Sequence, residues 1–406
     1  MSTAAATTTP FDYKTYFGFE SLERLQTAIN IPPILEKLPQ IGPIVSETLK
    51  LIIKNIDMLI KEMKDEKSLF VSVYKSPYPL RRSVALIKKE DGSSIFDVYV
   101  IFSRYRHGDP ILGQGSSTLA CLALHLSDTP KLAASLASCH EKAREGLEIQ
   151  LSLQNLAPIA PVIAILGSYI KRDIPYTRSL QALYPETLSS FTTRHDLNPY
   201  IMARDTLKAL SELHKAGVIH GDIKEDNILC SAEPFEHAVL TDFSDSHKVT
   251  DPFNWITHPF YIDPQLAALV IAAEGAIDDP SYIGSSSFES DVWAVGICFF
   301  RIMSRIQVSF VSQKKLLEGL GKSSSQSRID SCKDLLEICK EPGWASKEME
   351  KSKISFSKPF FVFLDKLLHP ERKERLTAQQ ALEELEAHLD TPKPSTKKAR
   401  LEESSP

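Results

Sequence analysis

The chain lacks the marks of export and of membrane insertion. Its opening residues, MSTAAATTTPFDY, place no basic stretch ahead of an apolar core, so a cleaved signal peptide is not expected. No uncharged run approaches the roughly 18 apolar residues a bilayer-spanning helix needs. The nearest approach, LKLIIKNIDMLIKEM, is interrupted by Lys50, Lys54, Asp57 and Lys61 and reads as an amphipathic helix. Cysteine is scarce, with six residues (121, 139, 230, 298, 332 and 339) and no C-x-x-C pair, four of them in apolar segments. That argues against a disulfide scaffold and for reduced, mostly buried thiols in a cytosolic compartment. Positive charge is not in excess: the net charge is −5, which gives no reason to expect a nucleic-acid partner. No internal repeat is apparent. What remains is ordinary for a soluble globular protein, with 43% hydrophobic and 24% charged residues over 406 positions.

The chain divides by pattern. Residues 1 to about 10 are small and polar and are expected to be disordered. From about 17 to 65 the pattern is helical, broken by Pro32-Pro33, Pro39 and Gly42-Pro43, with apolar residues at 44, 49, 52, 53, 56, 60 and 63 on one stripe. The expectation is a helical extension packing on the rest of the protein or on a protein partner; contact of residues 44–65 with a membrane surface is the alternative. Two alternating runs, SVALIKKE and IFDVYVIF, flank Asp91-Gly92-Ser93-Ser94, a hairpin signal. Residues 117–136 read as two strands joined at Ser127–Pro130, 139–155 as a helix, and 161–170 and 178–184 as two more strands. Further on, Asn198-Pro199 opens a helix with the stripe Leu207, Leu210, Leu213, and Gly217 ends it. The tail from about 391, TPKPSTKKARLEESSP, is expected to be flexible. Its KKAR is a solubilising charge run or a nuclear-import patch.

The densest chemistry lies in LHKAGVIHGDIKEDNIL, which sets Asp222, Lys224 and Asn227 within six residues. Phosphoryl transfer needs such a set: a carboxylate to orient the attacking hydroxyl, a fixed cation for the transferred oxygens, and a neutral oxygen for Mg²⁺. The segment resembles the catalytic loop of the protein kinase superfamily, H-R-D-x-K-x-x-N, with Gly221 in place of Arg. Further motifs follow in the family's order. AVLTDFSDS resembles the magnesium loop D-F-G, with Ser244 for Gly. Asp291-Val292-Trp293-Ala294-Val295-Gly296 resembles D-x-W-x-x-G, whose Asp braces the catalytic loop, and Arg375-Leu376-Thr377 resembles the closing R-x-T. Upstream, Gly113-Gln114-Gly115-Ser116 resembles a shortened glycine-rich loop whose amides would face phosphates.

The resemblance implies an α+β, bilobal protein-kinase-like fold, a β-rich N-lobe and a helical C-lobe, with a helical N-terminal extension. The expected division is an extension over 1–70, a kinase-like domain over 71–390 with its lobes meeting near 185, and a disordered tail over 391–406. It implies Asp222 and Lys224 as catalytic residues, Asn227 and Asp242 as metal ligands, and Gly113, Gln114, Gly115, Ser116 and Glu148 as nucleotide-binding residues. ATP and Mg²⁺ are the implied cofactors, a Ser/Thr hydroxyl of a protein the implied acceptor, and the cytoplasm the implied location; nuclear import through KKAR and export without a classical signal are the alternatives.

Departures matter. The strand position of the family's phosphate-contacting lysine aligns with Ser135 in KLAASLAS; Lys131 lies about 13 Å away along the strand. Lys142, at the helix start, is a candidate for the missing charge. Glu148, then Glu145, aligns with the helix glutamate that pairs with that lysine. Gln265 stands where the family has Glu, which predicts loss of a buried ion pair with Arg375. Two other readings therefore stand beside the active kinase: a pseudokinase scaffold, and a small-molecule kinase of aminoglycoside or choline type, whose loop also reads H-G-D.

Overall fold

The computed structural model describes residues 12–17, 41–63, 66–72, 82–89, 95–102, 111–114, 117–127, 131–171, 173–193, 199–231, 237–250, 261–272, 286–304, 325–351 and 358–390. They form two compact units. The first takes the described residues up to Asn155, then Ile159–Pro185 and Thr241–Asp245; the second takes the remainder.

Alternation of apolar residues builds the first unit. Strands β1 (Ser68–Val71), β2 (Ser83–Lys88), β3 (Phe96–Ile101), β4 (Ile111–Gln114), β5 (Thr118–Leu126), β6 (Lys131–Ser138), β7 (Val162–Lys171) and β8 (Ile174–Ala182) form one antiparallel sheet in the order β1-β2-β3-β5-β6-β8-β7, with β4 also on β5. The two runs around Asp91-Gly92 are β2 and β3, paired Val84 to Val100 and Leu86 to Val98; the turn itself lies outside the described residues. Ser68 Oγ donates to the Ile165 carbonyl at 3.0 Å, so β1 and β7 approach each other and the sheet curls.

Period-two alternation gives the sheet two apolar faces. One buries Ala85, Tyr99, Ile101, Cys121, Ala123, Ala133 and Leu180. The other buries Val84, Leu86, Val98, Val100, Leu122, Leu124 and Leu126 beneath helices α1 (Tyr13–Phe17), α2 (Ile41–Lys54) and α3 (Ile56–Met63). Phe17, Val45, Leu49, Ile52, Ile56, Leu59 and Met63 fill that second core. Each such side chain contributes about 1.5–3 kcal/mol of transfer free energy. The stripe from the extension therefore packs on the sheet, and Ser68 and Leu69, assigned to the extension by pattern, already belong to β1. The single amphipathic helix is instead two: Asn55 Nδ2 donates to the Leu51 carbonyl at 2.7 Å, competing for a helical acceptor, and α2 ends at Lys54. Helix α4 (Ala143–Leu153) lies between β6 and β7 in sequence.

The second unit is mostly helical. Its elements are β9 (Glu186–Thr187), α5 (Pro199–Lys215), β10 (Val218–Ile219), β11 (Ile228–Cys230), β12 (Ala238–Leu240), β13 (His247–Lys248), α6 (Pro264–Ala272), α7 (Phe288–Ser304), α8 (Ser325–Ile338), α9 (Trp344–Lys351), α10 (Lys358–Leu367) and α11 (Ala378–Asp390). Helix α7 is buried nearly all round: Trp293, Val295, Cys298, Phe299 and Phe300 have no exposed surface, as befits a central helix. Gly296 permits its close approach, since a Cβ there would lie 2.7 Å from Leu368 Cδ2. Leu207, Leu210 and Leu213 are fully buried on α5, which ends before Gly217 at φ +72°; Asn198 lies outside the described residues. Helix α6 packs against α8 through Leu266, Val270 and Cys332. The N-terminal segment 1–11 and the KKAR tail lie outside the described residues.

Candidate active site

In the second unit β10 leads into the loop His220–Lys224, and a 3₁₀ turn over Glu225–Asn227 returns the chain into β11. Gly221 has φ +80°, a conformation that glycine adopts without the strain a side chain brings. The loop backbone is held by Asp291, at the start of α7. Its Oδ2 accepts from His220 N at 2.8 Å and its Oδ1 from Gly221 N at 3.0 Å, while His214 Nε2 lies 3.1 Å from Oδ2. Burial alone would raise the Asp291 carboxyl; the hydrogen bonds and charge from His214 and His220 outweigh it and bring the group below its ordinary value. His220 is fully buried, with its Nδ1 accepting from Asp222 N at 3.3 Å, a structural role.

Three of the expected residues come together here. Lys224 Nζ donates to Asp222 Oδ2 at 2.5 Å, and Asn227 Nδ2 donates to the Asp222 carbonyl at 2.8 Å and to Oδ2 at 2.9 Å. Oδ2 is thus engaged twice. With its nitrogen turned to Asp222, Asn227 would offer its amide oxygen to a metal.

Sequence reasoning passed over a neighbouring cluster. Glu225, 4% exposed, accepts a short hydrogen bond from the Tyr261 hydroxyl and forms an ion pair with Arg301 Nε at 3.4 Å. Arg301 NH1 also donates to the Tyr261 oxygen at 2.7 Å. Burial pushes the Glu225 carboxyl up, partly offset by Arg301 and the Tyr261 hydrogen bond, and burial pushes the Tyr261 hydroxyl up as well. The signal available was a charged residue inside an apolar-flanked loop. The expected loss of an ion pair at Arg375 is corrected: Gln265 Oε1 does accept from Arg375 NH2 at 3.0 Å, but Asp263, two residues earlier, pairs with Arg375 NH1 at 2.7 Å, both side chains fully buried. Arg372 Nε adds a second contact to Asp263 at 2.7 Å.

The remaining site residues lie in the first unit. Gly113 and Gln114 are exposed on β4, which pairs with β5 through a bulge; Gly115 and Ser116 lie outside the described residues. Asp242 follows β12 and Thr241 with φ +60°, and the Ser244 hydroxyl donates to its Oδ1 at 2.5 Å. Ser244 is not itself in the left-handed region, so it is accommodated without backbone strain.

One expectation about this unit changes. Glu148 is exposed and pairs with Arg144 on its own helix at 3.0 Å; Glu145 is exposed too. The buried positions of α4 are Ala143, Gly146, Leu147, Gln150 and Leu153. Ser135 is buried, but the pairing register places it beside Cys121 and Leu180, in the core away from Gln181. Among the described residues its hydroxyl has no hydrogen-bond partner. The β6 residues sharing a face with Gln181 are Leu132, Ala134, Leu136 and Ser138, with Ala134 its direct partner. No lysine of β6 therefore faces the residues around Thr241. Lys131 shares the Ser135 face, and Lys142 is the N-cap of α4.

Asn227, in the second unit, and Asp242, in the first, each carry an oxygen donor of the kind hard cations take; nothing lies within 4 Å of a Cβ built on Gly113 among the described residues. A curled antiparallel sheet with one crossing helix in one unit, and a mainly helical unit carrying H-G-D-x-K-x-x-N braced from its central helix in the other, define the kinase-like class of folds. Residues 111–385 match the family model described as protein kinase domain, and the chain belongs to that family. It is 25% identical to mitogen-activated protein kinase kinase kinase 17 of Arabidopsis thaliana over 284 residues, 67% of this chain and 66% of that one. It is 30% identical to mitogen-activated protein kinase kinase kinase kinase 3 of Rattus norvegicus over 149 residues, and 26% identical to serine/threonine-protein kinase CLA4 of Candida albicans over 196 residues. Those matches cover 34% and 46% of this chain but only 15% and 18% of the two relatives. Among the described residues no helix is long and apolar enough to cross a membrane.

Proposed function

We propose that the protein transfers the γ-phosphoryl group of MgATP to a serine or threonine hydroxyl of a protein. The observation that carries this reading is the Asp222–Lys224–Asn227 triplet, held on a loop that buried Asp291 braces. Asp222 orients the acceptor hydroxyl and receives its proton. Lys224, 2.5 Å from Asp222, places a cation where the transferred oxygens carry charge. Asn227 and Asp242 would hold the metal, and the backbone of Gly113–Ser116 would cover the phosphates. Bound Mg²⁺ supplies neutralisation of the phosphate oxygens. The kinase-like unit of function spans 71–390 on this reading, with the extension as part of its support.

A second reading, a pseudokinase that holds nucleotide weakly or not at all, is favoured by Ala134, Ser135 and Leu136 on β6 and by the inward Gly146 and Gln150 on α4. One pair of assays separates them. Thermal shift with ATP, with and without Mg²⁺, is read on wild type and Asp242→Asn, and transfer from labelled ATP to a Ser/Thr peptide library on wild type and Asp222→Asn. Transfer is expected in wild type and a loss of at least about 10²-fold in Asp222→Asn with nucleotide binding kept. Undiminished transfer in Asp222→Asn would overturn the mechanism, and no Mg²⁺-dependent shift in wild type would favour the scaffold.

A further inference from the structure

The family pairs a strand lysine with a glutamate of the helix after it; among the described residues Ser135 stands at the aligned strand position and Glu148 pairs with Arg144 instead. The same helix meets the loop that carries Asp242 in another way. Resting on the phosphotransferase reading, we infer that Gly146, Gln150, Gln181 and Thr241 are positioning residues that set the magnesium loop by close contact and neutral hydrogen bonds.

The geometry is specific. A Cβ on Gly146 would lie 2.2 Å from the Phe243 carbonyl oxygen and 2.8 Å from Ser244 N, so α4 rests directly on the loop backbone and any larger residue forces them apart. One turn further along the same face, Gln150 is 1% exposed. Its Nε2 donates to the Ala160 carbonyl at 2.6 Å and to Gln181 Oε1 at 3.4 Å. Gln181 Oε1 also accepts from the Thr241 hydroxyl at 3.4 Å, and Thr241 is the residue before Asp242. Gln181 Nε2 completes the chain to Ser179 at 3.5 Å. At the far end of the loop His140 Nε2 lies 3.2 Å from Asp245. Helix α4 and strand β8 thus hold the loop at Thr241, and the turn ahead of the helix meets it at Asp245. A buried amide–hydroxyl chain of this kind tolerates no half-satisfied member, which makes it a device for fixing one geometry. It is also indifferent to salt, unlike an ion pair at the surface.

The test is hydrogen exchange of the backbone amides over 240–246 in the full chain, together with the Mg²⁺ concentration giving half the thermal stabilisation by ATP. Gln150→Leu and Thr241→Val are expected to speed exchange over 240–246 by about tenfold or more, with 207–213 unchanged, and to raise the Mg²⁺ requirement. Thr241→Ser, which keeps the hydroxyl, and Glu148→Gln are expected to behave as wild type. Gly146→Ala is expected to act as Gln150→Leu does. Wild-type exchange over 240–246 in both Gln150→Leu and Thr241→Val overturns the inference, as does faster exchange with an unchanged Mg²⁺ requirement in a protein that responds to MgATP. If wild type shows no response to MgATP, the phosphotransferase reading fails, and the exchange data alone decide whether these residues hold the loop. Should Gln150→Leu not fold, the Thr241→Val and Thr241→Ser pair gives the same decision.

Discussion

Replacing Asp263 by alanine removes an anion that two guanidinium groups share. Its carboxylate accepts from Arg375 NH1 at 2.7 Å, from Arg372 Nε at 2.7 Å and NH2 at 3.1 Å, and from Leu266 N at 2.9 Å, where it caps helix α6. Both Asp263 and Arg375 side chains are fully buried, so the variant leaves a cation without its counter-charge. Breaking such a pair from one side costs about 3–5 kcal/mol, and loss of a helix cap adds about 1 kcal/mol. The expected loss for Asp263→Ala is therefore about 4–6 kcal/mol, a large share of the roughly 5–15 kcal/mol of a folded domain. Asp263→Asn keeps an acceptor for Leu266 N and is expected to cost about 1 kcal/mol less. Urea unfolding followed by tryptophan fluorescence measures both, because Trp293 and Trp344 are buried and the Arg375 guanidinium lies 4.9 Å from the Trp293 ring. The pH dependence gives a second check. Burial would raise the Asp263 carboxyl, but Arg372 and Arg375 outweigh it and hold the group below its ordinary value. A depressed acid contributes stability above its unfolded pKa of about 3.9 and loses it as pH falls through the folded value. Wild type should lose stability below about pH 4, and Asp263→Ala should show a shallower fall over that range. A cost under about 1 kcal/mol would refute the reasoning. It would mean that Gln265 and the carbonyls of Glu289, His369 and Pro370 suffice for Arg375.

Tyr261→Phe removes the hydroxyl shared by Glu225 and Arg301 and is expected to cost about 1–3 kcal/mol in the same urea assay. In Arg301→Met the Glu225 carboxyl, already raised by burial, loses its cation. An acid raised on folding stabilises below its unfolded pKa, so this variant should lose stability as pH rises from acid to neutral, read from a pH series of unfolding curves. All six cysteines are free, and five are buried while Cys139 is half-buried. Burial pushes the Cys230 thiol up to about 12 and the Cys339 thiol higher still. A chromogenic disulfide reagent under native conditions should therefore titrate Cys139 first, the others following only on unfolding; early reaction of Cys298 would contradict the described packing of α7.

Local pattern sufficed where a residue's role is settled by its neighbours in sequence. The β2–β3 hairpin follows from alternation around Asp91-Gly92, the Leu207–Leu213 stripe from helical spacing, and the Asp222–Asn227 cluster from a loop whose groups reach one another over a few residues. Pattern failed where orientation depends on distant partners. Ser135 and Leu136 differ by one position, and only the pairing of β6 with β8 decides which of them faces Gln181. Glu148 drew attention because it carries charge, yet rotation of α4 turns Gly146 and Gln150 inward and leaves Glu148 to Arg144. Asp263 was passed over for Gln265 because the motif fixes a position, while the buried cation needs only a carboxylate within reach. Asn55 looked like one more polar residue on an amphipathic face, but its amide captures a helix carbonyl.

Ancestry and folding draw different borders in this chain. The family match begins at residue 111, but strands β2 and β3 upstream of it share a sheet with β5, and Leu122, Leu124 and Leu126 are covered from the extension. A chain begun at 111 would keep every motif and yet present a bare row of leucines and an unpaired strand edge, the combination that drives edge-to-edge aggregation. Expressed that way it should precipitate, while a chain begun ahead of α2 should stay dispersed, as light scattering would show. The described residues ahead of 111 thus cover a face and an edge of the sheet that the matched segment alone would leave open.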